Sequence, residues 1–208
     1  MDIVTLFKKY VIDNTDTSIK FFYTKTNGYY VIHIVNPNNE LLNMNKHNKP
    51  FFKILINMLF DTKFKTQTGC FNYEHPDKND PLYKYSFNEL LNYFLKNNYM
   101  MILVDINKTK KNPIIPISQL IINNNTLWTL CTNIEYRKKG FMTILLNHLF
   151  KLIKNNKLKT FIYLPELKIY IKKTNPLTQM LLKYYSSYGF KKNENENEND
   201  YIIMNYNE

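Results

Sequence analysis

Apolar residues recur at helical spacing near the start of the chain, where Ile3, Leu6, Phe7, Tyr10 and Val11 fall on one face of a predicted helix over 2–13. The period then shortens. "SIKFFYTKTNGYYVIHIV" holds two apolar runs around Asn27-Gly28, the pair that a two-residue hairpin favours because both central residues take positive φ. "KPFFKILINMLF" and "SFNELLNYFLKNN" return to helical spacing, the second opened by Ser86 as N-cap, and 62–85 between them reads as a loop with Pro and Asp. Three successive strands are predicted over 99–107, 114–123 and 126–132, with turns at Lys108–Pro113 and Asn123–Asn125. A helix follows "NIEYRKKG", with Phe141, Leu145, His148 or Leu149, and Leu152 as its buried stripe. A strand at 159–164 comes next. Pro176 then starts a helix carrying Leu177, Met180, Leu181, Tyr184 and Tyr185, which Gly189 ends as a C′ residue. Two strands, near Phe190 and at "YIIMNY", close the chain around the low-complexity tip "NENENEND".

At 208 residues, 44% apolar and 15% aromatic, the chain has material for a sizeable core. It is expected to form one compact unit or two closely joined halves, an N-terminal part over 1–98 and a second over 99–208. The longest apolar runs stop well short of the roughly 20 residues that cross a bilayer, and the first residues lack the basic start and small-residue cleavage site of a signal peptide. A soluble, cytoplasmic protein with no membrane partner is the expectation. Cys70 and Cys131 stand far apart without metal-ligand spacing, so both are expected as reduced thiols and no metal site is implied. The net charge of +11 admits an anionic partner. The chain is, however, crowded with Asn, Lys, Ile and Tyr and poor in Gly, Ala and Arg, as a low-GC genome would dictate. Its lysines are spread along the sequence, and neither a nucleic-acid motif nor a GxxxxGK[ST] loop is present.

One stretch breaks that bias. "EYRKKGFMTILLNHLFKLI" contains the sole arginine, Arg137, three residues before Gly140, one of four glycines. A strand ending near 132 that feeds a helix near Gly140 gathers the unpaired amides of Lys138, Lys139, Gly140, Phe141, Met142 and Thr143 in one small volume, and such groups attract anions. Gly140 keeps the approach open. Arg137, Lys138 and Lys139 add positive charge, and the Thr143 hydroxyl is a further donor.

"RKKGFM" resembles the arginine/glutamine-x-x-glycine-x-glycine/alanine pyrophosphate loop of the GCN5-related N-acetyltransferases, preceded by their central strand, here "TLWTLCTN". Arg137 and Gly140 take the first two signature positions, while Met142 stands where Gly or Ala is usual. "TQMLLKYYSSYGF" is similar to the later part of the family's Asn-x-x-Ala-x-x-x-Tyr-x-x-x-Gly-Phe helix, with Tyr185, Gly189 and Phe190 in register and Thr178 and Leu181 replacing the Asn and Ala. The resemblance covers about 99–206.

It implies an α+β (α/β) fold: a central mixed, mostly antiparallel sheet flanked by helices, here with an N-terminal helix and hairpin extension. It also implies acetyl-CoA as co-substrate and acetyl transfer to a primary amine on a small molecule, a polyamine or a protein. A homodimer is compatible with it. Tyr185 is then the general acid, with Tyr184 the next choice, and backbone groups of Leu130, Cys131 and Thr132 hold the pantetheine arm. Glu166 or Asp105 could act as base through a water, and Cys131 as a nucleophile, although a Cys on an interior strand is ordinarily a small buried hydrophobe. His148 reads as satisfied packing. The competing readings are a catalytically inactive acyl-CoA-binding or interaction protein of this fold and, further off, a basic nucleic-acid binder.

Overall fold

In the computed structural model, residues 2–11, 19–36, 46–59, 89, 92–93, 98–107, 109, 111–155, 157, 166–194 and 200–206 are described. Among them, eight strands join in one sheet: β1 (Lys20–Thr26), β2 (Tyr29–Val35), β3 (Asn98–Ile106), β4 (Ile114–Asn123), β5 (Thr126–Thr132), β6 (Leu167–Lys172), β7 (Lys191–Lys192) and β8 (Tyr201–Tyr206), in the order β1-β2-β3-β4-β5-β6-β8-β7. Every neighbouring pair is antiparallel except β5 and β6. Helices α1 (Ile3–Tyr10) and α2 (Lys49–Leu59) cover one face, and α3 (Phe141–Lys154) and α4 (Thr178–Ser186) cover the other. This is the mixed, mostly antiparallel sheet flanked by helices that the sequence predicts.

Local chemistry accounts for the elements. Asp2 caps α1, its carboxylate accepting from the Thr5 amide at 2.9 Å. Asn27 and Gly28 take φ of 46° and 82° between β1 and β2, and Asn124 and Asn125 take 42° and 63° between β4 and β5. Both turns therefore have the doubly positive φ that twists two antiparallel strands into a tight hairpin. The apolar runs of β3 and β4 are buried on both sides because helices lie above and below them. On one side Leu6, Phe7, Phe52, Leu55 and Leu59 pack on Ile32, Ile34, Met100 and Ile102; on the other Leu145, Leu149 and Phe150 pack on Val31, Met101, Leu120 and Ile169. β2 and β3 pair from Tyr30↔Val104 to Val35↔Tyr99, so the strand before residue 98 and the strand after it share one ladder.

The expected strand at 159–164, the "SFNELLNYFLKNN" helix beyond a few of its residues, and the middle of "NENENEND" lie outside the described residues. Among the described residues no helix is long and apolar enough to cross a membrane.

A buried polar chain ties the N-terminal hairpin to α3. Tyr99 Oη lies 2.6 Å from His33 Nδ1, Thr24 Oγ1 lies 2.8 Å from His33 Nε2, and the same Thr24 oxygen lies 2.9 Å from His148 Nε2. His33 also stacks on Phe22, with ring centroids 4.7 Å apart. Burial, helped by the charge of His148, drives the His33 pKa from 6.5 down to about 3. His148 is lowered as well, by burial first and by Lys151 second. Satisfied packing is thus what His148 does.

Candidate functional site

The parallel pair is where the sheet opens. β5 and β6 register only at Thr126↔Lys168, with the Lys168 amide donating to the Asn125 carbonyl at 2.7 Å, and no further rung follows along β5. Beyond it the two strands part, leaving a wedge whose mouth lies at the Thr132 end. Asn133 donates to Ile117 on β4 at 2.8 Å. Antiparallel alternation then turns the backbone groups of Leu130 and Thr132 toward the wedge, and those of Cys131 toward β4. A bulge strengthens the divergence: Leu127 faces Ile122 and Thr129 faces Ile121, so Trp128 is an extra residue on β5.

At the mouth, a 3-10 turn (Ile134–Tyr136) leads to the stretch before α3. Arg137 Nε donates to the Thr132 carbonyl at 3.1 Å, so the guanidinium braces the loop against the end of β5. Lys139 Nζ folds back to the Glu135 carbonyl at 3.1 Å and lies 5.6 Å from the Tyr136 ring centre. Lys138 takes a φ of 62° and Gly140 a φ of 77°. This left-handed conformation costs a residue with a side chain roughly 1–2 kcal/mol. Gly140 also has no atom within 4 Å of where a Cβ would stand. Among the described residues, the amides of Lys138 through Thr143 find no backbone acceptor. The result is a cluster of backbone donors at the positive end of a 14-residue helix. Phe141 and Met142 turn inward: Phe141 meets Tyr29 and Tyr136 edge-on, and Met142 packs on the α3-side core. The side chain at the departing signature position is therefore drawn into apolar contacts, out of the cradle.

α4 supplies the tyrosines. Tyr185 is 9% exposed, packed edge-on to Phe190 at 5.9 Å and to Tyr184 at 5.4 Å. Burial, with Tyr184 second, holds its hydroxyl well above the ordinary tyrosine value. Gly189, with φ of 97°, lets the chain leave α4 so that the Phe190 amide reaches the Tyr185 carbonyl at 3.3 Å. Tyr188 hydrogen-bonds both Tyr184 and Thr143; its pKa is pushed up to about 12, by burial first and then by Tyr184. Thr143 on α3 and Tyr188 beyond α4 are thereby tied together, a link that spacing did not reveal.

The acidic candidates separate. Asp105 is exposed on β3 at the same end of the sheet as the loop, close enough for its charge to help raise the Tyr136 pKa, after burial. The strand expected just before Glu166 lies outside the described residues. Glu166 precedes β6, pairs with Lys168 at 3.6 Å, and so lies at the closed end of the wedge, roughly 20 Å along the strands from Thr132.

Cys131 corrects an expectation. It is engaged in a disulfide, 1% exposed and on the α2 side, its sulfur 2.9 Å from the Met58 carbonyl oxygen. A reduced thiol, and with it a nucleophile, is not what the fold holds there; Cys70 lies outside the described residues.

No family model matches the sequence, and no curated protein matches it. Solved structures do match, acetyltransferases among them. The NatC complex bound to Gag peptide and CoA is 15% identical, with 86% of this chain and 98% of that chain covered at a TM-score of 0.45. An aminoglycoside 6'-N-acetyltransferase complexed with coenzyme A is 13% identical, covering 79% and 94% at 0.44. An acetyltransferase of the GNAT family from Bacillus anthracis is 11% identical, covering 89% and 96% at 0.42.

Proposed function

We propose that this chain is an N-acetyltransferase that uses acetyl-CoA and transfers its acetyl group to a primary amine within a ternary complex. The observation that carries the reading is the wedge between β5 and β6, with the open amide cradle at Gly140 across its mouth. A linear co-substrate with a diphosphate in its middle fits both parts at once. Amides from Lys138 to Thr143 hold the diphosphate, and the Leu130 backbone holds the amide-bearing arm as a missing strand would. Acetyl-CoA supplies an activated thioester.

The chain's own contribution is chiefly alignment, which can supply roughly 7–11 kcal/mol of barrier reduction. Leu130 and its neighbours fix the arm, and the splayed edge leaves the reacting carbon accessible to an amine. Tyr185 keeps its proton throughout the physiological range because burial disfavours the phenolate, and it gives that proton to the departing sulfur. Tyr184 is the second choice for this role. The amine enters protonated at neutral pH; for a lysine-like amine, freeing its lone pair costs roughly 4–5 kcal/mol. Asp105, the carboxylate at the loop end of the sheet, takes that proton through a water. Glu166 has no part, being at the closed end.

Gly140→Glu tests the reading by calorimetry with acetyl-CoA. The wild type binds and the variant does not, because a carboxylate then faces phosphate across the cradle; equal affinity in the two proteins ends the assignment. Release of free thiol on adding amines separates an enzyme from an inactive coenzyme-binding protein.

A further inference from the structure

The polar contacts that join the hairpin to α3 have a direction. Thr24 Oγ1 stands 2.8 Å from His33 Nε2 and 2.9 Å from His148 Nε2, yet a hydroxyl carries a single proton. One imidazole therefore donates to Thr24 while the other accepts from it. Tyr99 decides which. Its hydroxyl lies 2.6 Å from His33 Nδ1, the residue is 1% exposed, and among the described residues that hydroxyl has no other hydrogen-bond partner. A buried O–H without an acceptor keeps its full desolvation cost, so Tyr99 donates to His33 Nδ1. His33 then carries its own proton on Nε2 and donates to Thr24, and Thr24 donates to His148 Nε2. The run ends at the solvent edge, where His148 is 8% exposed and its Nδ1 is not sealed from water.

We propose that Tyr99, His33, Thr24 and His148 form a one-way hydrogen-bond latch that fastens the edge strand β1 to α3, and that protonation of His148 opens it. The inference is independent of the acetyl-CoA reading.

A second proton on His148 must sit on Nε2, the atom that receives the Thr24 hydrogen. Two donors then face each other across 2.9 Å unless the whole chain reverses. Reversal makes His148 donate to Thr24, Thr24 to His33 Nε2, and a His33 protonated at Nδ1 to Tyr99, whose own hydrogen is left stranded in the core. Either course weakens the tie between β1 and α3.

The surroundings offer no compensation. Alternation puts Lys20, Phe22, Thr24 and Thr26 of β1 on the α3 side, with Tyr29, Val31, His33 and Val35 of β2, and α3 itself brings Lys151. Lys20 and Lys151 oppose a charged imidazole. No carboxylate stands among these residues, and Asp105 of β3 lies at the loop end, near Tyr136. Burial and then Lys151 hold the His148 pKa below its ordinary 6.5, so the latch is closed at neutral pH and opens at a pH below that value.

Imidazole nitrogen NMR on the full chain reads the direction. At pH 7.5 His33 should be protonated at Nε2 and His148 at Nδ1; the opposite pair of tautomers overturns the proposal. Amide hydrogen exchange, corrected for its intrinsic pH dependence, reads the opening in steps from pH 7.5 to 4.5. Protection of β1 should fall about 3–10-fold relative to β3, the range of one net hydrogen bond. A loss shared equally by both strands is global unfolding and overturns a local latch, as does an unchanged β1. His148→Gln, which cannot titrate, and Thr24→Val, which lacks the shared hydroxyl, should each hold the β1-to-β3 ratio constant across that range. A fall that survives in either variant also overturns it.

Discussion

Acidification tests the buried polar chain directly. His33 has no solvent exposure, and its ring nitrogens are spent on Thr24 and Tyr99, with His148 the nearby titratable group of α3. Its pKa of about 3 in the folded protein, against 6.5 ordinarily, means that the unfolded chain takes up a proton which the folded one refuses. Stability from this group is therefore complete above about pH 6.5 and is lost as pH falls toward 3. At about 1.36 kcal/mol per pH unit, the loss reaches roughly 3 kcal/mol by pH 4.5 and approaches 4–5 kcal/mol near pH 3. Against a total stability of about 5–15 kcal/mol, that is enough to shift an unfolding curve visibly.

The assay is urea denaturation at a series of pH values between 7 and 4.5, on the wild type and on His33→Gln. Glutamine keeps hydrogen-bonding capacity and cannot titrate, so the comparison lies in the slope with pH rather than in absolute stability. The wild-type slope should exceed the variant slope by close to one proton per molecule. His148 contributes in the same direction in both proteins, and the carboxylates are common to both. Parallel slopes would refute the account of a neutral, desolvated imidazole.

Tyr185→Phe should cut turnover by about 10²–10⁴-fold while KM for acetyl-CoA stays near normal, measured by thiol release; full activity moves the acid role to Tyr184 or elsewhere. Arg137→Met removes the donor to the Thr132 carbonyl and loosens the loop, so coenzyme affinity should fall about 5–30-fold, with melting little changed, if that bond is worth about 1–2 kcal/mol. Leu149→Ala, at a fully buried position where α3 meets the sheet, should cost about 2–5 kcal/mol in urea unfolding; a cost below 1 kcal/mol would mean that α3 is not packed as described.

Much of the fold was legible because its signals are local. Asn27-Gly28 announces a hairpin since few residues take positive φ without strain, and the apolar runs of β3, β4 and β5 end at turn residues within one position of the observed strands. The loop was legible for the same reason: in a chain poor in glycine and arginine, Gly140 and Arg137 stand out, and a left-handed φ of 77° at Gly140 is the backbone reason for the glycine. The role of Arg137 was only half visible. Spacing marks it as the loop's cation, whereas its hydrogen bond to Thr132 depends on where β5 ends relative to the turn.

By itself, then, the sequence determined every strand of the sheet except β6, which it did not predict, the helices that flank them and the placing of a glycine-centred loop between β5 and α3, since periodicity, caps and turn residues act over a few neighbours. Tertiary structure alone decided that β5 and β6 part after a single rung, that Glu166 falls at the closed end while Asp105 falls at the open one, and that Thr24, His33, Tyr99 and His148 meet from four separate elements. It also decided that Cys131 is engaged in a disulfide. Each of these depends on residues brought together across a sheet from distant parts of the chain, and the spacing of residues along a strand or helix does not encode which distant partner its side chains will face.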